Sequence, residues 1–139
     1  MVSTHLRNLA ECLQRAATAR IGSAQRRNRA ESAKHIAAEL GGSSFAKEAT
    51  SAALLASMVA LAWNANKLAN QRRLRADNRR MAELMEFHPS AGVLPQSSVD
   101  PRDYDAECER TYDEANRLRA QALDVARKLR QMAQQEEAR

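Results

Sequence analysis

One uncharged stretch constrains the fold of this chain more than any other feature. Between Glu48 and Lys67 lie 18 residues without a formal charge, Ala49 to Asn66, in a chain of 139 residues of which 28% are charged. A helix of that length rises about 27 Å, close to the roughly 30 Å of the hydrocarbon layer of a membrane. The stretch is therefore either a membrane span or a core helix of a helical bundle.

The composition predicts an all-α protein. Alanine is the commonest apolar residue, aromatic residues make up only 4%, and glycine and proline are few, which favours helices. The sequence contains no run of alternating β-branched residues, the pattern that is typical of a strand. Because alanine gives little bulk for a core, we expect extended helices without a compact globular core. They lie at about 3–40 (one helix, or two with a soft joint), 45–87 and 101–136.

Turn-forming residues divide the chain into four segments. Gly41-Gly42 ends the first helix, because glycine readily adopts the left-handed conformation of a helix stop. His88-Pro89 ends the second, since proline disfavours helical geometry at the residue before it. The predicted segments are a basic amphipathic N-terminal helix at 1–42, a candidate transmembrane helix continuing into a charged helix at 43–88, a Pro/Gly linker at 89–99, and a heptad-patterned helix at 100–139.

Two features of the uncharged stretch favour a membrane span over a core helix. Trp63 lies at its end, where an aromatic ring prefers the membrane interface, and a run of cations follows, as on the positive-inside flank of a span. The polar residues of the stretch, such as Ser57 and Asn64, oppose insertion into a membrane. A core helix of a bundle therefore remains the alternative interpretation. The residues predicted to face lipid are Leu54, Leu55, Met58, Val59, Leu61 and Trp63. Those predicted to contact lipid phosphate or an acidic partner are Lys67, Arg72, Arg73, Arg75, Arg79 and Arg80.

The charge balance indicates acidic partners. A formal net charge of +5 suits nucleic acid, anionic lipid or an acidic protein surface. The basic segment has no interleaved aromatic residues and no helix-turn-helix or RNA-binding signature, which favours anionic lipid over nucleic acid. The first 30 residues hold six arginines and one acid, Glu11, a pattern typical of an organelle transit peptide, with a plain surface helix as the alternative.

The segment after Asp100-Pro101 has the cleanest helical pattern. Tyr104, Cys108, Thr111, Ala115, Leu118, Ala122, Val125, Leu129 and Met132 alternate steps of four and three. Such a heptad stripe predicts a helix that packs lengthwise on another helix, internal or external. Its small and polar members favour a partner helix over a strong homodimer. The residues predicted to dock on a partner are His88, Pro89, Tyr104, Tyr112, Leu118, Val125, Leu129 and Met132.

No catalytic or metal-ligating pattern is found in the sequence. It has no Gly-rich phosphate loop, nucleophile elbow, HExxH or CxxC pair, and His5, His35 and His88 lie on separate segments. Cys12 and Cys108 are far apart, which predicts free thiols and leaves one long-range bridge open. We therefore predict a protein that is not an enzyme and needs no metal or cofactor, although a bound structural phospholipid fits the predicted membrane location.

Residues 73–115 contain RADNRRMAELMEFHP and, after a short loop, ECERTYDEA. The pattern runs Arg75, Asp77, Met81, Met85, His88-Pro89, and later Thr111-Tyr112 followed by Glu114. It resembles the C-terminal part of a small accessory protein of mitochondrial respiratory complex I, of the C-two or B-fourteen-point-five-b type. In that family a membrane helix leads into a charged helix, a His-Pro element and a Thr-Tyr element. Its members lie in the membrane arm and carry no redox centre.

The resemblance implies a non-catalytic accessory subunit that braces the membrane arm of a mitochondrial inner-membrane respiratory complex, most of all complex I. Its partners would be other subunits of that complex and anionic lipid, with the basic flank Lys67 to Arg80 on the matrix side. Two other functions stay open: a helical structural protein of a phage or a secretion machine, and a soluble basic coiled-coil adaptor.

Overall fold

The computed structural model describes residues 1–18, 20–86 and 100–139, and all regular structure within these ranges is helical. The elements are α1 (Val2–Ala17), α2 (Ser23–Glu39), α3 (Ala46–Glu86), a 3-10 helix (Pro101–Tyr104) and α4 (Asp105–Glu137). The prediction of an all-α protein is therefore confirmed. The predicted linker 89–99 and the His88-Pro89 element lie outside the described residues.

The predicted helix at 3–40 is two helices joined by a turn. Gly22 has extended backbone angles and caps α2, and α2 packs back on α1. The last carbonyls of α1 have no partner within their own helix. Arg26 Nη1 donates to Ala16 O over 2.7 Å, and Arg119 Nε donates to Ala17 O over 3.2 Å. Two guanidinium groups thus stabilise the carbonyl end of α1, where the helix dipole favours cations.

The four helices form an antiparallel bundle. Arg7 Nε donates to Glu137 Oε1 over 2.9 Å, which sets the start of α1 beside the end of α4. Asn66 Nδ2 donates to Thr111 Oγ1 over 3.0 Å, and further along α3 Arg73 Nε lies 2.8 Å from Asp105 Oδ1, so α3 and α4 run antiparallel. Helix α2 packs on α1 and α3, and within the described residues it does not pack on α4. Helices α1 and α3 therefore lie at the centre, with α2 and α4 on opposite sides.

Alanine forms most of the core, and this overturns the prediction of extended helices without one. Close packing of alanine faces brings helix axes together, so tight contact replaces bulky side chains. A few larger residues complete the interior, each contributing about 1.5–3 kcal/mol on burial. The largest fully buried side chains are Leu6, Leu9, Leu13, Leu40, Val59 and Leu129.

The predicted membrane span, Ala49 to Asn66, is part of the bundle instead. Across the described ranges, no helix combines the length and the apolar character that crossing a membrane requires. The prediction fails because the stretch has two different faces. Its alanine face and Val59 are buried against the other helices, Leu55 and Trp63 are half-buried, and the remaining predicted lipid-facing residues point outward. Those exposed residues are Leu54, Met58 and Leu61.

The heptad stripe predicted on α4 packs inside the molecule, against α1 and α3. Leu118 and Leu129 are buried as the pattern indicates, but later in the helix the buried positions move from Val125 and Met132 to Ala126 and Ala133. A straight α-helix drifts about 20° per heptad relative to a seven-residue repeat, which accounts for a shift of one residue.

The two C-terminal helices are much longer than the two N-terminal ones. Helix α3 has 41 residues and spans about 60 Å, whereas α1 and α2 span about 25 Å each. The far half of α3 therefore extends past the α1–α2 hairpin, where it packs on the 3-10 helix and the start of α4.

Candidate docking surface

Helix α3 carries an exposed apolar stripe on the face opposite the core. Its members recur at steps of four and three, the spacing that places residues on one side of a helix. We call this set the α3 stripe: Leu54, Met58, Leu61, Ala65 and Leu68.

The leucines of the α3 stripe are unusually exposed. The exposed fraction is 62% for Leu54, 68% for Leu61 and 43% for Leu68, and Met58 is 40% exposed. Single exposed leucines are common, but a contiguous apolar row along three turns or more marks a surface that another molecule covers. The row therefore is the strongest candidate for an interaction site in the described residues.

The groove between α2 and α3 borders one side of the stripe. It is lined by Arg27, Glu31 and Lys34 of α2 together with Leu61. Lys34 pairs with Glu31 over 3.2 Å. Arg27 is exposed and makes no ion pair within the described part of the chain. This edge is therefore basic.

The groove between α3 and α4 borders the other side. It is lined by Ala65 of the stripe and by charged residues of α4, including Glu109 and Asp113. Arg117 in the same groove pairs with Glu114. Glu109 and Asp113 form no ion pair in the ranges that the structure covers. The two grooves differ in net charge. The α4 edge offers the carboxylates of Glu109 and Asp113 against one guanidinium without an ion pair in the described residues, that of Arg110, whereas the α2 edge offers a guanidinium without a free carboxylate.

A group of aromatic and cationic side chains holds α3 in place behind the stripe. The guanidinium of Arg26 lies 5.0 Å from the centroid of the Trp63 ring, and Trp63 meets Tyr112 edge to face at 6.2 Å. Arg26 is only 4% exposed, and this burial lowers its pKa. A desolvated cation over a tryptophan face contributes about 2 kcal/mol. The three residues therefore tie α2, α3 and α4 together at one level of the bundle.

Buried Asn66 fixes the pairing of α3 with α4. Its Nδ2 donates to Cys108 O over 3.1 Å and to Thr111 Oγ1 over 3.0 Å, and its Oδ1 accepts from Asn70 Nδ2 over 3.2 Å. A fully hydrogen-bonded polar residue among apolar neighbours favours one alignment of two helices, because any shift leaves it unsatisfied. The α3 stripe is therefore displayed on a helix of fixed rotation.

The basic segment after the stripe is partly used inside the molecule. Arg72 pairs with Glu107, and Arg73 Nε lies 2.8 Å from Asp105 Oδ1. The acidic start of α4 thus neutralises cations that were predicted to contact lipid phosphate. Arg80 also has partners within the chain. The exposed cations Lys67, Arg75 and Arg79 are the members of the predicted set without an ion pair in the described residues.

The residues predicted to dock on a partner lie in three kinds of place. Leu118 and Leu129 are buried, and Tyr104, Val125 and Met132 are half-buried against the bundle. Only Tyr112, at 52% exposure, presents a large surface to solvent, and His88-Pro89 lies outside the described residues. The structure therefore assigns most of the predicted docking stripe to internal packing.

The described residues hold no group of three or more histidine, cysteine or acidic side chains placed to bind a metal. Cys12 and Cys108 are both free thiols, as predicted. Cys12 is buried, and burial raises its pKa.

Sequence reasoning missed the α3 stripe as a protein surface. The signal was present, because Leu54, Leu61 and Leu68 stand seven residues apart, and that repeat is typical of a helix that pairs lengthwise with another helix. The prediction of a membrane span attributed Leu54 and Leu61 to lipid contact, since hydropathy summed along the stretch does not separate one helix face from the other.

In comparison with known proteins, no protein family, curated protein or solved structure matches this chain significantly.

Proposed function

We propose that this protein is a non-catalytic assembly subunit that docks through the α3 stripe onto a helix of another polypeptide chain. The single observation that carries the proposal is the stripe itself, a row of leucines exposed on the outer face of a helix whose inner face already has a complete set of partners. Burying such a row recovers roughly 25 cal/mol for each Å² of apolar surface removed from water.

The proposal is supported by the way in which α3 is fixed in the bundle. Arg26, Trp63 and Asn66 hold the helix from behind, so a partner meets a surface that needs little ordering. A preorganised surface binds more tightly because less conformational entropy is lost on association.

For the identity of the assembly we keep the prediction from the sequence resemblance, a mitochondrial respiratory complex. In that form of the proposal the protein attaches to the complex through the stripe, and the exposed cations Lys67, Arg75 and Arg79 contact anionic lipid or an acidic subunit. A phage or secretion-machine component and a basic coiled-coil adaptor would use the same surface, and identification of the co-migrating proteins distinguishes the three.

The test compares three tagged forms of the protein in cells of the source organism by native gel electrophoresis of gently solubilised extracts. The forms are wild type, Leu61→Glu in the centre of the stripe, and Leu123→Glu as a matched control. Leu123 lies on α4 away from the stripe and is 38% exposed. Mass spectrometry then identifies the proteins in any band that contains the tag.

We expect wild type and Leu123→Glu to migrate in the same larger assembly and Leu61→Glu to be lost from it, because a carboxylate cannot be buried unpaired in an apolar contact. NADH dehydrogenase subunits in that band would support the respiratory assignment. If all three forms migrate alike, the docking role of the stripe is wrong.

A further inference from the structure

We propose that the occupant of the α3 stripe is a second copy of this chain, and that two molecules associate with their α3 helices parallel about a two-fold axis. This proposal rests on the docking role proposed above and names the partner. A two-fold dimer uses the same surface patch on both subunits, so the surface must be complementary to itself.

The residue pattern of the stripe suits a parallel pair of helices. Leu54, Leu61 and Leu68 occupy one position of three successive heptads, and Ser51, Met58 and Ala65 occupy the other contact position. In a parallel two-fold pair each of these residues faces its own counterpart. The positions that flank the contact on α3 are uncharged, so no like charges oppose one another there. These flanking residues are Leu55, Ser57, Ala62, Asn64, Ala69 and Gln71.

The charges of the neighbouring helices decide the direction. Helices α2 and α4 lie on opposite sides of α3. A two-fold axis parallel to α3 sets α2 of one molecule over α4 of the other. An axis perpendicular to α3 and lying in the interface gives antiparallel helices and sets α2 over α2.

The parallel arrangement sets the basic groove of one molecule over the acidic groove of the other. Arg27 lines the groove beside Leu61, and Asp113 lines the groove beside Ala62 and Ala65, within about one turn along α3. Neither side chain has an ion-pair partner among the described residues, so each is available to the other across the axis. The antiparallel arrangement would instead oppose Arg27 to Arg27 and set the acidic groove of α4 against its own copy. Complementary charges select an orientation even where they add little affinity.

The first experiment measures the mass of the purified full chain in solution by light scattering across a dilution series. We expect a dimer for wild type and for Leu123→Glu. Leu61→Glu should keep its helical circular dichroism and raise the dimer Kd by at least about tenfold, because it places two carboxylates at the contact. A wild-type chain that stays monomeric at every concentration would overturn the dimer, and the native-gel experiment would then decide separately whether the stripe docks on a different protein.

The second experiment tests orientation by disulfide formation in a Cys108→Ser background, where the remaining Cys12 is buried. Leu54→Cys and Leu68→Cys are examined singly and as a mixture. The two positions are about 21 Å apart along α3, whereas a disulfide needs Cβ atoms about 4 Å apart. Parallel association predicts that each single variant crosslinks to itself. Crosslinking only in the mixture would show antiparallel pairing and overturn the proposed orientation. The Cys108→Ser protein without a new cysteine is the control for crosslinking unrelated to the stripe.

The third experiment exchanges the charges that are proposed to meet. Arg27→Glu and Asp113→Lys should each weaken dimerisation in the light-scattering assay, and the double variant should recover most of the loss, because the pair is restored with its signs reversed. Failure of the double variant to recover would contradict the placement of α2 over α4.

Discussion

Several side chains in this protein bind the free carbonyl groups at a helix end or join two helices across their interface. Arg26 and Arg119 donate hydrogen bonds to the last carbonyls of α1, and Arg26 also lies on the ring of Trp63. The indole Nε1 of Trp63 is buried and finds no acceptor in the described parts of the chain. An unpaired buried donor costs about 1–3 kcal/mol, so this tryptophan is kept for its ring rather than for its N–H group.

Substitution at Trp63 separates the two contributions of the indole. Trp63→Phe removes the unpaired N–H group and keeps an aromatic face for Arg26, so we expect the free energy of unfolding to change by less than about 1 kcal/mol. Trp63→Leu removes the ring, and we expect a loss of about 2 kcal/mol. Urea denaturation followed by circular dichroism measures both. Equal losses in the two variants would contradict a role for the aromatic face.

At the scale of elements, α1 combines a leucine row buried in the bundle core with a polar edge that faces α4. Leu6, Leu9 and Leu13 are fully buried. Along the edge, Arg7 makes a two-pronged pair with Glu137, and Arg130 Nη2 donates to Gln14 Oε1 over 2.6 Å. Exposed ion pairs contribute little to stability on their own, so the apolar row provides the energy and the polar edge aligns the helices.

The polar edge predicts a specific dependence on pH. The hydrogen bond from Arg7 holds the pKa of Glu137 below its ordinary value of 4.5. A carboxylate whose pKa is lowered on folding adds stability that is complete above its ordinary pKa and is lost as the pH falls through its folded pKa. Glu137→Gln should therefore be slightly less stable than wild type at neutral pH and equal to it well below pH 4.5.

Thermal unfolding of both proteins at the two pH values measures this effect. Glu39→Gln is the control, since Glu39 is exposed and forms no ion pair within the described residues. A difference between wild type and Glu137→Gln that persists unchanged in acid would show that the carboxylate does not act through its charge.

For the whole molecule, the helical class and several core positions follow from sequence, whereas the arrangement of the helices does not. The repeat through Leu118 and Leu129 predicted that these two leucines lie on one face of α4, because local periodicity encodes which side of a helix is apolar. The pairing of Arg26 with Trp63 depends on how the helices pack and has no local signature.

The misassigned span has a physical origin in alanine. Alanine is apolar enough to raise the hydropathy of a lipid-facing segment and small enough to line a close helix contact. The stretch from Ala49 to Asn66 therefore has a composition compatible with both environments. Distinguishing them requires the positions of the buried faces of the other helices.

The unequal lengths of the helices predict a gradient of local stability along α3. Most buried residues of α3 lie within 49–66, whereas in 74–86 the buried residue is Ala76 and Leu74, Met81 and Met85 are exposed. Amides with few buried contacts around them open locally at low cost. Hydrogen exchange should therefore be faster over 74–86 than over 49–66, as read by mass spectrometry of peptides. Uniform protection along α3 would contradict this gradient.

The contact of Arg7 with Glu137 also bears on how the chain folds. It joins positions 130 residues apart, whereas the contact of Asn66 with Thr111 joins positions 45 apart. Closing the longer loop from the open chain costs about 1 kcal/mol more in entropy than closing the shorter one. Local hairpins are accordingly expected to form before the α1–α4 contact closes: α3–α4, and α1–α2, whose Arg26–Ala16 hydrogen bond joins positions only 10 residues apart. Mutations in the α1–α4 contact should then speed unfolding rather than slow folding, which makes this contact the main determinant of the bundle's kinetic stability.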